Sequence, residues 1–149
     1  MGTLSIYFSS IVIKRGNHVW QNRRKIALVV GAAQGIGEAI AKRFVEEGAS
    51  VVIADVLDEV GQVTAKRLGG TYVHTDISDF EAAKQAVEVA VQNYGSLDII
   101  VRNAGIYPWT LIENTLPEEW DQVCAVNLKG TFLATRAALP VMKKIDLVV

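Results

Sequence analysis

Short, continuously apolar runs alternate along the chain with longer stretches in which apolar side chains recur every three or four positions. Ile26–Val30 (IALVV), Ser50–Ala54 (SVVIA), Thr71–His74 and Leu97–Val101 (LDIIV) are the short runs. Their lack of polar alternation predicts strands covered on both faces. Between them the spacing is helical. Gly35–Glu47 carries Ile36, Ile40 and Phe44, and Leu57–Leu68 carries Val60, Val63, Ala65 and Leu68. Ser78 and Glu81 make a capping box for a helix to about Tyr94, with Phe80, Ala83, Val87 and Ala90 directed inward. Thr115 and Glu118 make a second box. A last stripe runs through Leu128, Phe132, Arg136 and Leu139 up to Pro140, and the tail Ile145–Val149 reads as the start of a fifth strand.

Strands separated by helices of 10–15 residues are βαβ units. Right-handed crossovers then predict an α/β fold: a doubly wound parallel sheet of the Rossmann type, ending after about four to five strands. Ligands of such sheets sit at the carboxyl ends of the strands, so the chemistry is expected there.

Charge divides the chain. Residues 1–25 hold Lys14, Arg15, Arg23, Arg24, Lys25 and no acid, while all 16 acids fall in residues 26–149 against 10 bases. The acidic main part argues against nucleic acid as a partner. The basic leader has three readings: an organellar targeting segment, an extra strand or arm over Ser5–Ile13, or an extension outside the fold. The domain boundary is accordingly placed at residue 26. No run of 18 apolar residues predicts a membrane span, and the chain is expected in the cytoplasm unless the leader targets it. One cysteine, Cys124, excludes a disulfide framework, and His18 and His74 are too few and too far apart for a metal site.

The turn after the first strand, Val30-Gly31-Ala32-Ala33-Gln34-Gly35-Ile36-Gly37, is rich in glycine. Gly31 permits a tight turn, Gly35 lets backbone approach a pyrophosphate, and Gly37 lets the helix pack close to the sheet. The helix start offers free N–H groups and partial positive charge to phosphates. Gly31, Gln34, Gly35, Ile36 and Gly37 are therefore candidate dinucleotide contacts, the plain alternative being an ordinary βα turn. Asp55 ends the second strand, 24 residues after Gly31. Its carboxylate can accept from ribose hydroxyls and would repel a 2′-phosphate. With no base at Ala32, Ala33, Gln34 or Val56, NAD is favoured over NADP.

These residues resemble the short-chain dehydrogenase/reductase family over about Lys25–Lys144. The family's Thr-Gly-x-x-x-Gly-x-Gly is similar to Val30–Gly37, with Val30 in the threonine's place. The resemblance implies that the Asp76 side chain and the Ile77 N–H hold the adenine edge. The family's Asn-Asn-Ala-Gly appears as Arg102-Asn103-Ala104-Gly105, implying that Asn103, Ala104 and Gly105 contact the cofactor. Its Val-Asn-x-x-Gly appears as Val126-Asn127-Leu128-Lys129-Gly130. Hydride transfer between an alcohol or carbonyl substrate and NAD is the implied parent reaction. Val30 removes a loop hydroxyl, and Arg102 puts a long cation where an amide is usual, so local loosening is expected there.

The family's serine and Tyr-x-x-x-Lys are not matched. No serine follows Ser96, and four residues after Tyr7, Tyr72, Tyr94 and Tyr107 stand Ile11, Asp76, Asp98 and Leu111. Of the catalytic set only Asn127 remains, and a helix-bending or capping role is the reading for it here. The chain is read as the cofactor-binding portion of such an oxidoreductase, inactive alone. The alternatives are a non-catalytic nucleotide-binding module, pairing with another chain through an exposed sheet edge, and a product with no role. Among other residues, Cys124 and Trp120 are expected in the core, and Lys143 and Lys144 at a helix end. Tyr107 and Trp109 either wall an apolar substrate pocket or cover the core.

Overall fold

A computed structural model describes residues 11–12 and 25–142. Within them lie five strands: β1 (Ile11–Val12), β2 (Ile26–Val30), β3 (Ser50–Asp55), β4 (Thr71–His74) and β5 (Ile99–Arg102). The helices are α1 (Gly35–Glu46), α2 (Asp58–Leu68), α3 (Phe80–Tyr94), α4 (Pro117–Val123) and α5 (Gly130–Met142). A single 3₁₀ turn covers Ile112–Asn114, and a π-helical turn, Cys124–Lys129, joins α4 to α5. No helix among the described residues is long and apolar enough to cross a membrane.

The sheet order is β1-β5-β2-β3-β4. β2 pairs in parallel with β3 and β5, and β3 with β4. Every residue of β2 is buried, as its unbroken apolar run requires. One face, with Leu28, Val30, Val52 and Ile100, packs against α3 and α5. The other, with Ala27, Val29, Val51 and Ile53, packs against α1 and α2. Leu28 is 1% exposed, and burial of such a side chain contributes about 2 kcal/mol. After β2 the chain winds outward to β3 and β4, then returns through α3 to β5 on the other side of β2. This reversal opens a crevice between the carboxyl ends of β2 and β5.

Ile11 and Val12 form an antiparallel edge pairing with Val101 and Ile100 of β5, so that strand is not a bare edge there. The fifth strand expected at Ile145–Val149, and the helix end expected at Lys143 and Lys144, lie outside the described residues.

The helical stripes need correcting where large apolar residues misled. On α1 the buried face is Gly37, Ala41 and Phe44, and Ile36 is 75% exposed. On α2 it is Gly61, Thr64 and Ala65, with Val60 and Val63 outside. On α5 it is Gly130, Leu133, Ala134, Ala137 and Ala138, whereas Leu128, Phe132 and Leu139 are exposed. Alanines at the α3–α5 contact let the two helices approach closely, and the larger side chains are left to the opposite face. Trp120 is exposed and Cys124 half-buried, so neither lies in the core.

Neither expected capping box forms. Asp79 caps α3, its carboxylate accepting from Glu81 N, while the Ser78 hydroxyl donates to Asp76. Thr115 Oγ1 donates to the Leu111 carbonyl, and α4 starts instead with Pro117 in its first turn, where a missing N–H costs nothing. Pro140 does not end α5, which continues to Met142.

Candidate functional site

The crevice is built from three segments: the β2–α1 turn, the end of β3 and the segment after β5. Gly31 leaves β2 with φ +76°, and its N–H donates to the Ala54 carbonyl at 2.7 Å. A Cβ on Gly31 would lie 2.5 Å from the Ala104 Cα, so the turn and the Asn103–Gly105 segment touch backbone to backbone. Asn103 adds a clasp: its N–H donates to the Val30 carbonyl and its Nδ2 to the Gly31 carbonyl at 2.8 Å. The turn is also held from below. Thr64, buried on α2, donates its hydroxyl to the Ala33 carbonyl at 2.8 Å. The sequence signal for this contact is a threonine on the inner face of a helix, which a stripe of apolar residues does not include.

Asp55 lies at the same turn. Its Oδ2 accepts from Ala33 N–H at 2.9 Å, and its Oδ1 from Leu57 N–H at 3.1 Å. Each carboxylate oxygen has two acceptor directions, so one on each remains for a ligand. Beyond Ala33 the surface is open. Gln34 precedes α1 without a side-chain cap, and Glu38 N to Gln34 O is the first bond of the helix. The N–H groups of Gly35, Ile36 and Gly37 thus stand at the positive end of a 12-residue helix. Apart from its chain neighbours and the backbone of its own helix, no atom of the described residues lies within 4 Å of where a Gly35 Cβ would be. An anion can therefore meet backbone directly at this point. The donor set fits a dinucleotide: amides for the diphosphate and a carboxylate for a vicinal diol.

The adenine-edge pair divides. Asp76 is exposed, and its Oδ1 accepts from the Ser78 N–H and hydroxyl, which hold its carboxyl below the usual range. Ile77 is buried and packs against Gly130 at the start of α5. Thr75 N–H donates to the Asp55 carbonyl, bringing this segment alongside the end of β3.

Asn127, in the π-helical turn, exchanges two hydrogen bonds with Ile106: it accepts from the N–H at 2.8 Å and donates Nδ2 to the carbonyl at 2.9 Å. Its amide clamps the loop after Gly105. Tyr107 and Trp109 pack edge to face on that loop, with ring centroids 5.2 Å apart. At 76% and 91% exposed they do not cover the core.

Arg102 is neither solvated nor well satisfied. It is half-buried, one terminal nitrogen reaches Thr135 Oγ1 at 3.3 Å, and Nε has no partner among the described residues. An orphaned buried donor costs about 1–3 kcal/mol. Arg102→Asn is therefore expected to raise stability by about 1 kcal/mol, read as a higher urea midpoint with unchanged slope. A lower midpoint would contradict this reading.

Comparison with known proteins gives the same picture. A family model described as short chain dehydrogenase matches residues 25–146. Borneol dehydrogenase, mitochondrial, from Lavandula x intermedia is 47% identical over 120 residues, which are 79% of this chain and 46% of that protein. Trans-4-hydroxycyclohexanecarboxylate dehydrogenase from Sinomonas cyclohexanicum is 37% identical over 80% of this chain and 50% of its own. The crystal structure of 3-ketoacyl-(acyl-carrier-protein) reductase from Brucella melitensis complexed with NADH superposes with a TM-score of 0.80 at 39% identity, covering 83% of this chain and 52% of that one. The chain spans about half the length of the curated relatives it matches.

Proposed function

Since the chain belongs to the short-chain dehydrogenase/reductase family, we propose that it holds the NAD of an oxidoreductase acting on an alcohol or its carbonyl. The 2.9 Å bond from Ala33 N–H to Asp55 Oδ2 carries this reading. It sets a carboxylate against the turn whose amides would meet the diphosphate. The chemistry that a bound nicotinamide would supply is exchange of a hydride with the alcohol carbon. The residues here bind and orient. Gly35, Gln34, Ile36 and Gly37 would face the diphosphate, Asp55 the adenosine ribose, Asp76 and Ile77 the adenine, and Asn103, Ala104 and Gly105 the floor beneath the dinucleotide.

Asp55 favours NAD because a 2′-phosphate would meet its negative charge. Arg67 is a cation on this side, but its guanidinium is engaged by Glu38 at 2.5 Å and by Thr64. Proton transfer is a separate matter. Asn127 spends its amide on Ile106, and no serine follows Ser96 and no tyrosine precedes a lysine by four positions in these 149 residues. By themselves they bind the dinucleotide without turning substrate over.

Calorimetric titration tests the proposal. NADH is expected to bind at least tenfold more tightly than NADPH, with no alcohol oxidation above blank. Equal or tighter NADPH binding would remove the assignment of Asp55. Absence of binding by folded protein would remove the whole reading.

A further inference from the structure

Beside the crevice lies a polar cluster that neither the turn nor the family motifs account for. Tyr72 of β4 shares its single hydroxyl proton between two oxygens, the Asp55 main-chain carbonyl at 2.8 Å and Asp58 Oδ1 at 2.7 Å. His74 Nδ1 lies 2.8 Å from the same Asp58 oxygen. A carboxylate only accepts, so this ring nitrogen carries the proton. Each group is kept in its role. Burial and the nearby Asp58 carboxylate push the Tyr72 phenol up, so it remains a donor, and the bonds from Tyr72 and His74 hold Asp58 below the usual carboxylate range, so it remains an acceptor. The Tyr72 ring lies over Gly61 of α2, where a Cβ would come within 2.2 Å of it.

The cluster converges on one residue. The Asp55 carbonyl accepts from Thr75 N–H at 2.8 Å and from Tyr72, while the two carboxylate oxygens accept from Leu57 and Ala33. Asp55 is thus fixed at its main chain and at both side-chain oxygens. The contact that a ribose would not replace is the one from β4. Asp55 ends its strand in register with His74, so a brace between β4 and the first turn of α2 fixes the direction in which the strand delivers its carboxylate.

We propose that Tyr72, anchored by Asp58 and His74, is a positioning residue for ribose recognition, setting the direction of the Asp55 carboxylate without touching the ligand. This rests on the assignment of Asp55 to the adenosine ribose. The probes are ADP and 2′-deoxy-ADP, titrated by NMR against the whole chain. They differ only in the 2′-hydroxyl, one of the two that Asp55 would accept from. The unaltered chain is expected to favour ADP about tenfold, the value of one charge-assisted hydrogen bond. Tyr72→Phe keeps the ring over Gly61 and removes only the hydroxyl. It should shrink the preference to about threefold, through ADP alone, with 2′-deoxy-ADP moved less than twofold. Asp58→Ala, at an exposed site, should shrink it in the same way and guards against misfolding of the first variant. A general structural defect would weaken both nucleotides equally. Preference retained in both variants, or equal weakening of both probes, overturns the brace and leaves Asp55 assigned. Loss of preference in the unaltered chain overturns the assignment of Asp55 and the brace with it.

Discussion

Gly37→Ala is expected to cost about 3 kcal/mol and to abolish dinucleotide binding in the same step. Alanine inside an exposed helix would normally gain about 1 kcal/mol over glycine. Here the added Cβ would stand 2.0 Å from the Gly31 carbonyl oxygen and 2.7 Å from Asn103 Nδ2. Neither neighbour can yield cheaply. The Gly31 carbonyl belongs to the turn itself and accepts the Asn103 clasp, and Gly31 already touches Ala104. Relief therefore requires α1 to move away from the sheet, which undoes the face formed by Ala41 and Phe44. Urea denaturation should show a midpoint lower by more than half, and NADH titration no saturable signal. Unchanged stability would mean that the helix packs less closely than described.

Asp55→Ala should weaken NADH about thirtyfold and leave NADPH nearly unaffected, so that the preference between them disappears. Two hydrogen bonds to a carboxylate are removed, together worth about 2 kcal/mol. For NADPH the lost attraction is offset by the lost repulsion of its 2′-phosphate. Fold stability should fall as well, by about 1–3 kcal/mol, because buried Ala33 loses the acceptor for its N–H, whereas the exposed Leu57 N–H can turn to water. Titration of both nucleotides against the variant measures the ratio. NADH affinity within twofold of the unaltered chain would show that Asp55 serves the turn and not the ligand.

The sheet was readable from residues because its strands are short apolar runs with almost no competing pattern. Ile26–Val30 and Thr71–His74 have the expected bounds, and the others shift by one or two residues. Helix positions were equally clear, but helix faces were not. Alanine carries so little apolar area that a stripe such as Ala134, Ala137 and Ala138 is overlooked beside Phe132 and Leu139, though close helix packing needs the small residues. Caps failed for a related reason. Ser78 had a nearer acceptor in Asp76, and a spacing rule does not see that competition. In the site, the glycine turn and Asp55 could be paired in advance because one strand–helix–strand unit fixes their distance. Thr64, Tyr72 and the Asn127–Ile106 exchange join segments 31, 17 and 21 residues apart by side-chain direction, which no periodicity encodes. The two-residue β1 falls inside Ser5–Ile13, the stretch for which an extra strand or arm is one of three readings.

The wide turn at Cys124–Lys129 has a geometric consequence. An α-helix advances about 100° per residue, so one residue looped into a broader ring rotates everything downstream by that angle relative to what came before. α4 and α5 are therefore out of phase, and a single wheel drawn through both misassigns one of them. The same slack lets the Asn127 amide reach sideways to Ile106 instead of lying along the helix barrel. Tightening the ring by one residue would swing that amide away and release the loop that follows β5.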